Sequence, residues 1–205
     1  MKHLIYSLLL LTLITSCKRD VINTTSLASL KIINAVTGGT QVKLRGVYST
    51  IINNNSNRNF AVFPGYQDLY IYPEADSLHP YYHGNNKVVM ETQQCYSLFL
   101  GGTPTDVTSM LIHDNWEMKQ DSSIRVRFVN LSPGSPAISV NLTTSTNVNE
   151  FSNIAFGQIS DFKPYSKVSN NTEYTFEFRN AITNELITTY TNYDYLFAYN
   201  HFKLV

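Results

Sequence analysis

The sequence is short of cysteine, of tryptophan and of charge. It has two cysteines, one tryptophan, and 15 basic against 15 acidic residues, for a formal net charge of +0. Two cysteines cannot build a disulfide framework. An electrically balanced chain has no broad positive field to gather nucleic acid, so no nucleic-acid partner is expected. Beyond the N-terminus no apolar run approaches the roughly 20 residues that a membrane-spanning helix needs. Catalytic signatures are missing too. There is no Gly-x-Ser-x-Gly elbow, and neither Gly38-Gly39 nor Gly101-Gly102, both expected in turns, is followed by Lys-Ser/Thr as a phosphate loop requires. The stretch Asn53 to Asn59 contains no carboxylate, which excludes a calcium loop and leaves an exposed loop as the expectation. His79 and His83 are four apart, a zinc spacing on a helix, but Pro80 and Gly84 oppose a helix and no glutamate adjoins His79. The expectation is a protein that is not an enzyme, with no cofactor and no metal.

What is present begins at the N-terminus. Met1-Lys2-His3 is a short basic start, and Leu4 to Ile14 is almost wholly apolar. That run is too short to span a bilayer and fits the hydrophobic region of a secretory signal, about 7–15 residues. It ends Leu13-Ile14-Thr15-Ser16-Cys17, which resembles a bacterial lipobox: an aliphatic residue, two small residues that admit a peptidase, and a thiol that takes diacylglycerol. Residues 1–16 are expected to be a lipoprotein signal peptide, Cys17 the lipidation site (palmitate or a similar acyl group), and residues 17–27 a lipidated tether. An ordinary signal peptide with a chance cysteine is the alternative. With Cys17 in a thioether, Cys95 lacks an intrachain partner and reads as a buried structural thiol. Lys18-Arg19-Asp20 partly resembles the Lys-plus-acidic export signal of Bacteroidota surface lipoproteins, with Arg19 where that signal is acidic. The expected address is the outer membrane, lipid-anchored, with surface and periplasmic faces both open.

The 14 tyrosines and 11 phenylalanines, set among Asn, Ser and Thr, favour strands and turns over helices. The chain also repeats itself. Lys31-Ile32-Ile33-Asn34 aligns with Arg127-Phe128-Val129-Asn130; Gly38 then meets Gly134, and Val42 and Leu44 meet Ile138 and Val140. Each copy reads as a strand, a tight turn and a second strand of period two. More loosely, Asp68 to Tyr72 after Pro64-Gly65 corresponds to Glu173 to Phe178 after Asn170-Asn171. In the latter, Tyr174, Phe176 and Phe178 should face one way, with Thr175 and Glu177 on a wet face. The predicted fold is all-β, two tandem immunoglobulin-like β-sandwich domains after the signal peptide: domain 1 over 28–120 and domain 2 over 121–205. Residues 114–122 are the expected linker, with Trp116 a wedge between domains. The first half continues through Val107 to His113 as a further strand. The second ends at Val205 without a counterpart, so its final strand is expected to be absent or borrowed from another chain.

The run Arg125 to Val140 resembles the opening of the domain of unknown function 4397: a basic-apolar strand, Asn, a small residue, Ser-Pro, a turn, Pro-Ala and an alternating strand. Phe156 to Phe162 resembles that family's next element, an aromatic-Gly-x-apolar-Ser-x-aromatic step, and the first half shows the same layout more weakly. The resemblance implies secreted immunoglobulin-like modules of the kind frequent on Bacteroidota lipoproteins, and no activity.

One stretch has the makings of a ligand face. Tyr66, Tyr70, Tyr72, Tyr81 and Tyr82 lie close in sequence to Glu74, Asp76, His79 and His83. Flat amphipathic rings beside hydrogen-bonding groups suit sugar rings and flexible peptides. The competing reading is structural, with Tyr70 and Tyr72 lining a strand and the others plugging a sandwich end. Asp76-Ser77-Leu78 resembles a Bacteroidota O-glycosylation sequence, with Ser77 the acceptor. His113 and His201 stand at strand edges without visible partners. The functional expectation is a non-catalytic cell-envelope lipoprotein, a binding or adhesion module anchored through Cys17 and contacting a glycan or an envelope or host protein. The alternatives are a structural subunit of a surface assembly that uses an open strand edge, and a carbohydrate-binding accessory protein.

Overall fold

The computed structural model describes residues 26–47, 50–115, 123–166 and 173–192. The expected signal peptide, Cys17, the residues of the expected tether up to 25, Trp116 and His201 lie outside them. No helix occurs among the described residues, and the chain is all-β with its sheets in a sandwich-like arrangement.

The first half contributes β1 (Ala28–Asn34), β2 (Val42–Leu44), β3 (Ile51–Ile52), β4 (Ser56–Val62), β5 (Gly65–Gln67), β6 (Tyr70–Pro73), β7 (Tyr82–His83), β8 (Val88–Met90), β9 (Cys95–Thr103) and β10 (Asp106–Asp114). One sheet has the order β10-β9-β1-β4 and faces another of order β3-β2-β6-β7, while β5 and β8 form a separate ribbon. All pairings are antiparallel except β1 with β9, which run parallel from Ser29↔Cys95 to Asn34↔Leu100. Alternation puts Leu30, Ile32, Leu98 and Leu100 inward at zero exposure, against Val42 and Ile71 of the facing sheet. Burying each such side chain contributes about 1.5–3 kcal/mol.

The second half contributes β11 (Ser123–Val126), β12 (Val129–Asn130), β13 (Ile138–Leu142), β14 (Ser145–Ile154), β15 (Gln158–Ile159), β16 (Lys163–Ser166), β17 (Tyr174–Asn180) and β18 (Leu186–Asn192). The sheet β14-β13-β17-β18 lies with the two-stranded pairs β11-β16 and β12-β15. Its core is aromatic: Phe128 meets Phe151, Phe176 and Phe178 edge-on, with ring centroids 5.0, 5.2 and 5.3 Å away. Tyr165 joins this core, and burial ahead of its bond to Glu150 pushes its phenol well above the ordinary range.

Both halves close their first turn in the same way. Asn34, buried at the end of β1, donates through Nδ2 to Thr40 O (2.9 Å) and Ile52 O (3.4 Å). Asn130 donates to Pro136 O (3.5 Å) and Ile154 O (3.1 Å). Gly38 and Gly134 follow with left-handed φ of 71° and 73°. A buried amide must find partners, and here those partners are the turn and the strand after next, β3 in the first half and β14 in the second, so one side chain pins three elements.

The halves meet on the outer face of β9. Asp114 (2% exposed) accepts a bond from Ser97 Oγ (2.6 Å) and pairs with the Arg127 guanidinium, which lies 4.4 Å from the Phe162 ring centroid. Further along, a Cβ on Gly101 would come within 3.0 Å of Leu131. Gly101 and Gly102 therefore stand inside β9 rather than in a turn, with Gly101 kept small by the second half. The Asn-rich stretch also departs from expectation, since Asn57 and Asn59 belong to β4 and pair with Ile33 and Lys31. Glu177 is no wet-face residue: it is 8% exposed and bound by Arg179 Nε and Nη2 at 2.9 and 2.8 Å. Cys95 is half-buried rather than buried, its thiol pushed up by burial and then by Asp114. His113 has partners after all, bonding Gln94 (3.1 Å) and stacking on Tyr96.

Two substitution series test this architecture by denaturant unfolding. Asp114→Ala and Arg127→Ala should each cost about 3–5 kcal/mol by stranding a buried charge, and the double variant should cost clearly less than their sum. Gly102→Ala, with φ of 83° and Asp106 O only 2.3 Å from the added carbon, should destabilise far more than Gly134→Ala, where nothing lies within 4 Å and only the left-handed backbone cost of about 1–2 kcal/mol applies. Equal losses at the two glycines would contradict the packing described for β9 and β10.

Candidate functional site

Strand alternation decides which of the tyrosines meet. Tyr70 and Tyr72, two apart on β6, share the outer face of the β3-β2-β6-β7 sheet, with ring centroids 5.8 Å apart. On β2 and just beyond it, Lys43 and Arg45 take that same face by the same period. The register sets Lys43 opposite Tyr72. Across the other edge Tyr70 faces His83 of β7, with ring centroids 4.9 Å apart and edge-on.

Around Tyr70 a compact polar cluster forms. The Arg45 guanidinium carbon sits 3.4 Å from the Tyr70 ring centroid, a cation–π contact. Arg45 also reaches Asp68 (3.6 Å), and Asp68 Oδ1 lies 2.9 Å from His83 Nε2. The Tyr70 hydroxyl donates to Ser77 O at 2.7 Å. One face of Tyr70, its contact with His83 and its hydroxyl tip are thus committed, and the residue is 8% exposed. It serves as the floor of the cluster rather than as a platform. The exposed rim is Arg45, Asp68 and His83, alternating donors and acceptors of compensated charge, which suits hydroxyl-rich ligands.

The other expected residues go elsewhere. Glu74 holds Lys43 Nζ at 2.6 Å and accepts from Gln41. Asp76 organises its own turn, accepting from the Leu78 and His79 amides (3.1 and 3.3 Å) and meeting His79 Nδ1 at 2.8 Å. The His79 bond, the largest influence, holds the Asp76 carboxyl below its usual range. His79 and His83 therefore serve different carboxylates, and no metal-binding group of three His, Cys, Asp or Glu occurs among the described residues. Tyr81 and Tyr82 are half-buried against the core, their phenols raised by burial. Ser77 lies in the exposed turn beside Asp76. Tyr66 stands apart on β5, 75% exposed and opposite Val89 of β8.

Arg45, Asp68 and Lys43 complete the cluster and were not singled out by sequence. The Val42-Lys43-Leu44-Arg45 alternation was the available signal, since it puts both cations on one face of β2, but which strand lies beside β2 is a long-range fact.

Among solved structures, the C-terminal domain of AlgF from P. aeruginosa is similar over 43% of this chain and 98% of that domain, at 12% identity and a TM-score of 0.32. No curated protein matches. A family match covers residues 28–141, all of the first half and the strand–turn–strand unit that opens the second. With more than half of its length matched, the chain belongs to the family described as Domain of unknown function (DUF4397).

Proposed function

We propose that this protein is a non-catalytic lipoprotein of the cell envelope, anchored at the outer membrane through lipid on Cys17 and acting as a binding or adhesion module. The observation that carries the reading is the N-terminal order of basic start, apolar run and Leu13-Ile14-Thr15-Ser16-Cys17. Lipoprotein processing leaves two or more acyl chains on such a cysteine, enough for stable anchoring where one chain is marginal. The lipoprotein is of the Bacteroidota type, and its two halves are repeats of one plan, supported by the matched bonds of Asn34 and Asn130 and the matched φ of Gly38 and Gly134. The ligand face is the Arg45-Asp68-His83 rim over Tyr70, and its chemistry favours a glycan.

A second reading, a structural subunit of a surface assembly, is favoured by one observation. Among the described residues β18 pairs only with β17, while Leu186 and Ile187 on it are 46% and 50% exposed. An apolar edge strand is a template for a neighbouring chain.

Cells producing the full-length protein should incorporate a palmitate analogue at Cys17, and Cys17→Ala should abolish both the label and membrane retention. Unlabelled wild-type protein would refute the anchor. On a glycan array, any ligand bound should lose about tenfold or more in affinity with Asp68→Asn, which removes a charged acceptor; binding that ignores the substitution would move the site away from this rim. Sedimentation of the lipid-free chain separates the readings: a monomer at high concentration speaks for the module, concentration-dependent polymers for the assembly subunit.

A further inference from the structure

The exposed apolar residues of the first half are not scattered. Among the described residues they are Leu27, Val47, Phe63, Tyr66, Leu78 and Val89, at 40, 39, 69, 75, 82 and 47% exposure. All but Leu78 stand at one end of the sandwich. Leu27 directly precedes β1. The pairing Ala28↔Val62 puts Phe63 beside it, and the bond from Gln93 N to Leu27 O (3.1 Å) ties in the turn after β8. On the β5–β8 ribbon Tyr66 and Val89 are direct cross-strand partners, so both rings and methyls project from one face. The tight turn after Asn34 reverses the chain, so β2 returns to this same end and Val47 emerges there.

This is also the end where the chain arrives from its anchor. Only residues 18–25 separate Cys17 from Ser26, whose carbonyl and hydroxyl are held by Thr92 (2.9 Å) and Gln93 (3.4 Å). Fully extended, that connection spans at most about 30 Å. A lipid on Cys17 therefore tethers this end directly to the bilayer, while the far end with the β9–β10 turn stands a further strand length, about 30 Å, from the point of attachment. The charges nearby cancel: Arg45 and His83 face Asp68, and Lys87 and Glu91 supply one exposed charge of each sign. Amphipathic aromatics such as Tyr66, with Phe63 and Val89 beside it, belong at the headgroup–acyl boundary.

We propose that the entry end of the first half is a membrane-docking surface, in which Phe63, Tyr66 and Val89 rest in the interfacial region of the bilayer that holds the Cys17 lipid. The proposal rests on the lipoprotein reading and deepens it, because it assigns the anchored protein an orientation. Docked this way, the protein turns its β9–β10 turn to the aqueous side.

The test uses the full-length, processed protein in vesicles of phosphatidylethanolamine and phosphatidylglycerol whose acyl chains carry a bromine quencher. In a Trp116→Phe background, Tyr66→Trp places the reporter in the proposed surface and Thr105→Trp places it in the exposed turn at the opposite end. Both positions are exposed, so the fold should persist, and thermal melting checks it. If Trp116→Phe itself lowers the melting temperature, the same pair is read by difference with Trp116 retained. Mass spectrometry first establishes the acyl groups. With them present, Tyr66→Trp emission should shift to the blue and lose roughly half its intensity, and Thr105→Trp should be unaffected. Two reporters quenched alike, or neither quenched, would overturn the docking surface and leave the anchor standing. A processed chain without acyl mass would remove the anchor and the docking surface together.

Discussion

A carboxylate taken out of water needs a cation, and Asp114 settles how the two halves of this chain meet. It closes β10, is 2% exposed, and takes its countercharge from Arg127, the basic residue that opens the second half's Arg127-Phe128-Val129-Asn130 repeat. Removing either partner leaves the other buried and uncompensated, which costs several kcal/mol. Arg127 is therefore fixed over β9, with Phe162 against its guanidinium and Phe99 a further neighbour at 6.0 Å. The rest of the contact follows from that placement. Four residues on, Leu131 closes over Gly101, and Thr108 of β10 approaches Gly157. Ser97 and Phe99, which a lone sandwich would wet, become 1% and 2% exposed. Lys31, the residue that aligns with Arg127, also feels Asp114, although burial is the stronger influence and lowers its ammonium pKa. The corresponding cations of the two halves converge on a single anion.

Local physics made much of the fold legible. Period-two alternation and turn-forming residues mark the opening units of both halves, and the aligned Asn34 and Asn130 do the same work in the structure, each tying a turn and the strand after next to the strand it ends. What stayed hidden depends on contacts distant in sequence. The parallel pairing of β9 with β1 joins residues 66 apart in sequence, and it turns Gly101-Gly102 from an apparent turn into the interior of a strand. Asn57 and Asn59 read as loop residues because Asn disfavours strands, yet an edge strand with one open side, as β4 is among the described residues, tolerates them. Glu177 looked solvated because a lone carboxylate should be, and only the Arg179 fork two residues on permits its burial.

The tyrosine-rich stretch shows the same division between local and long-range information. That Tyr70 and Tyr72 share a face follows from their spacing. That Arg45 covers Tyr70, and that Asp68 turns towards His83 while Asp76 keeps His79, follows from the pairing of β6 with β2 and β7. A cluster read along the sequence thus separates into a polar rim, a self-contained turn, two half-buried rings and one exposed ring.

In the proposed lipid-anchored form, that exposed ring connects the fold to the anchor. A neutral chain lacks the polybasic attraction, worth about 1 kcal/mol per cation near an anionic surface, that orients many peripheral proteins. Whatever orientation a lipid-anchored form adopts must then come from the tether and from uncharged interfacial groups. Both lie at the same end: the chain enters at Ser26, and Leu27, Phe63, Tyr66 and Val89 surround that entry. The ribbon of β5 and β8 contributes little to the core beyond Met90, with Val88 half-buried, and it holds Tyr66 and Val89 outward as a cross-strand pair. An apolar ribbon spent on the surface is costly for a protein free in water, and it becomes favourable once a short tether holds that end of the molecule against lipid.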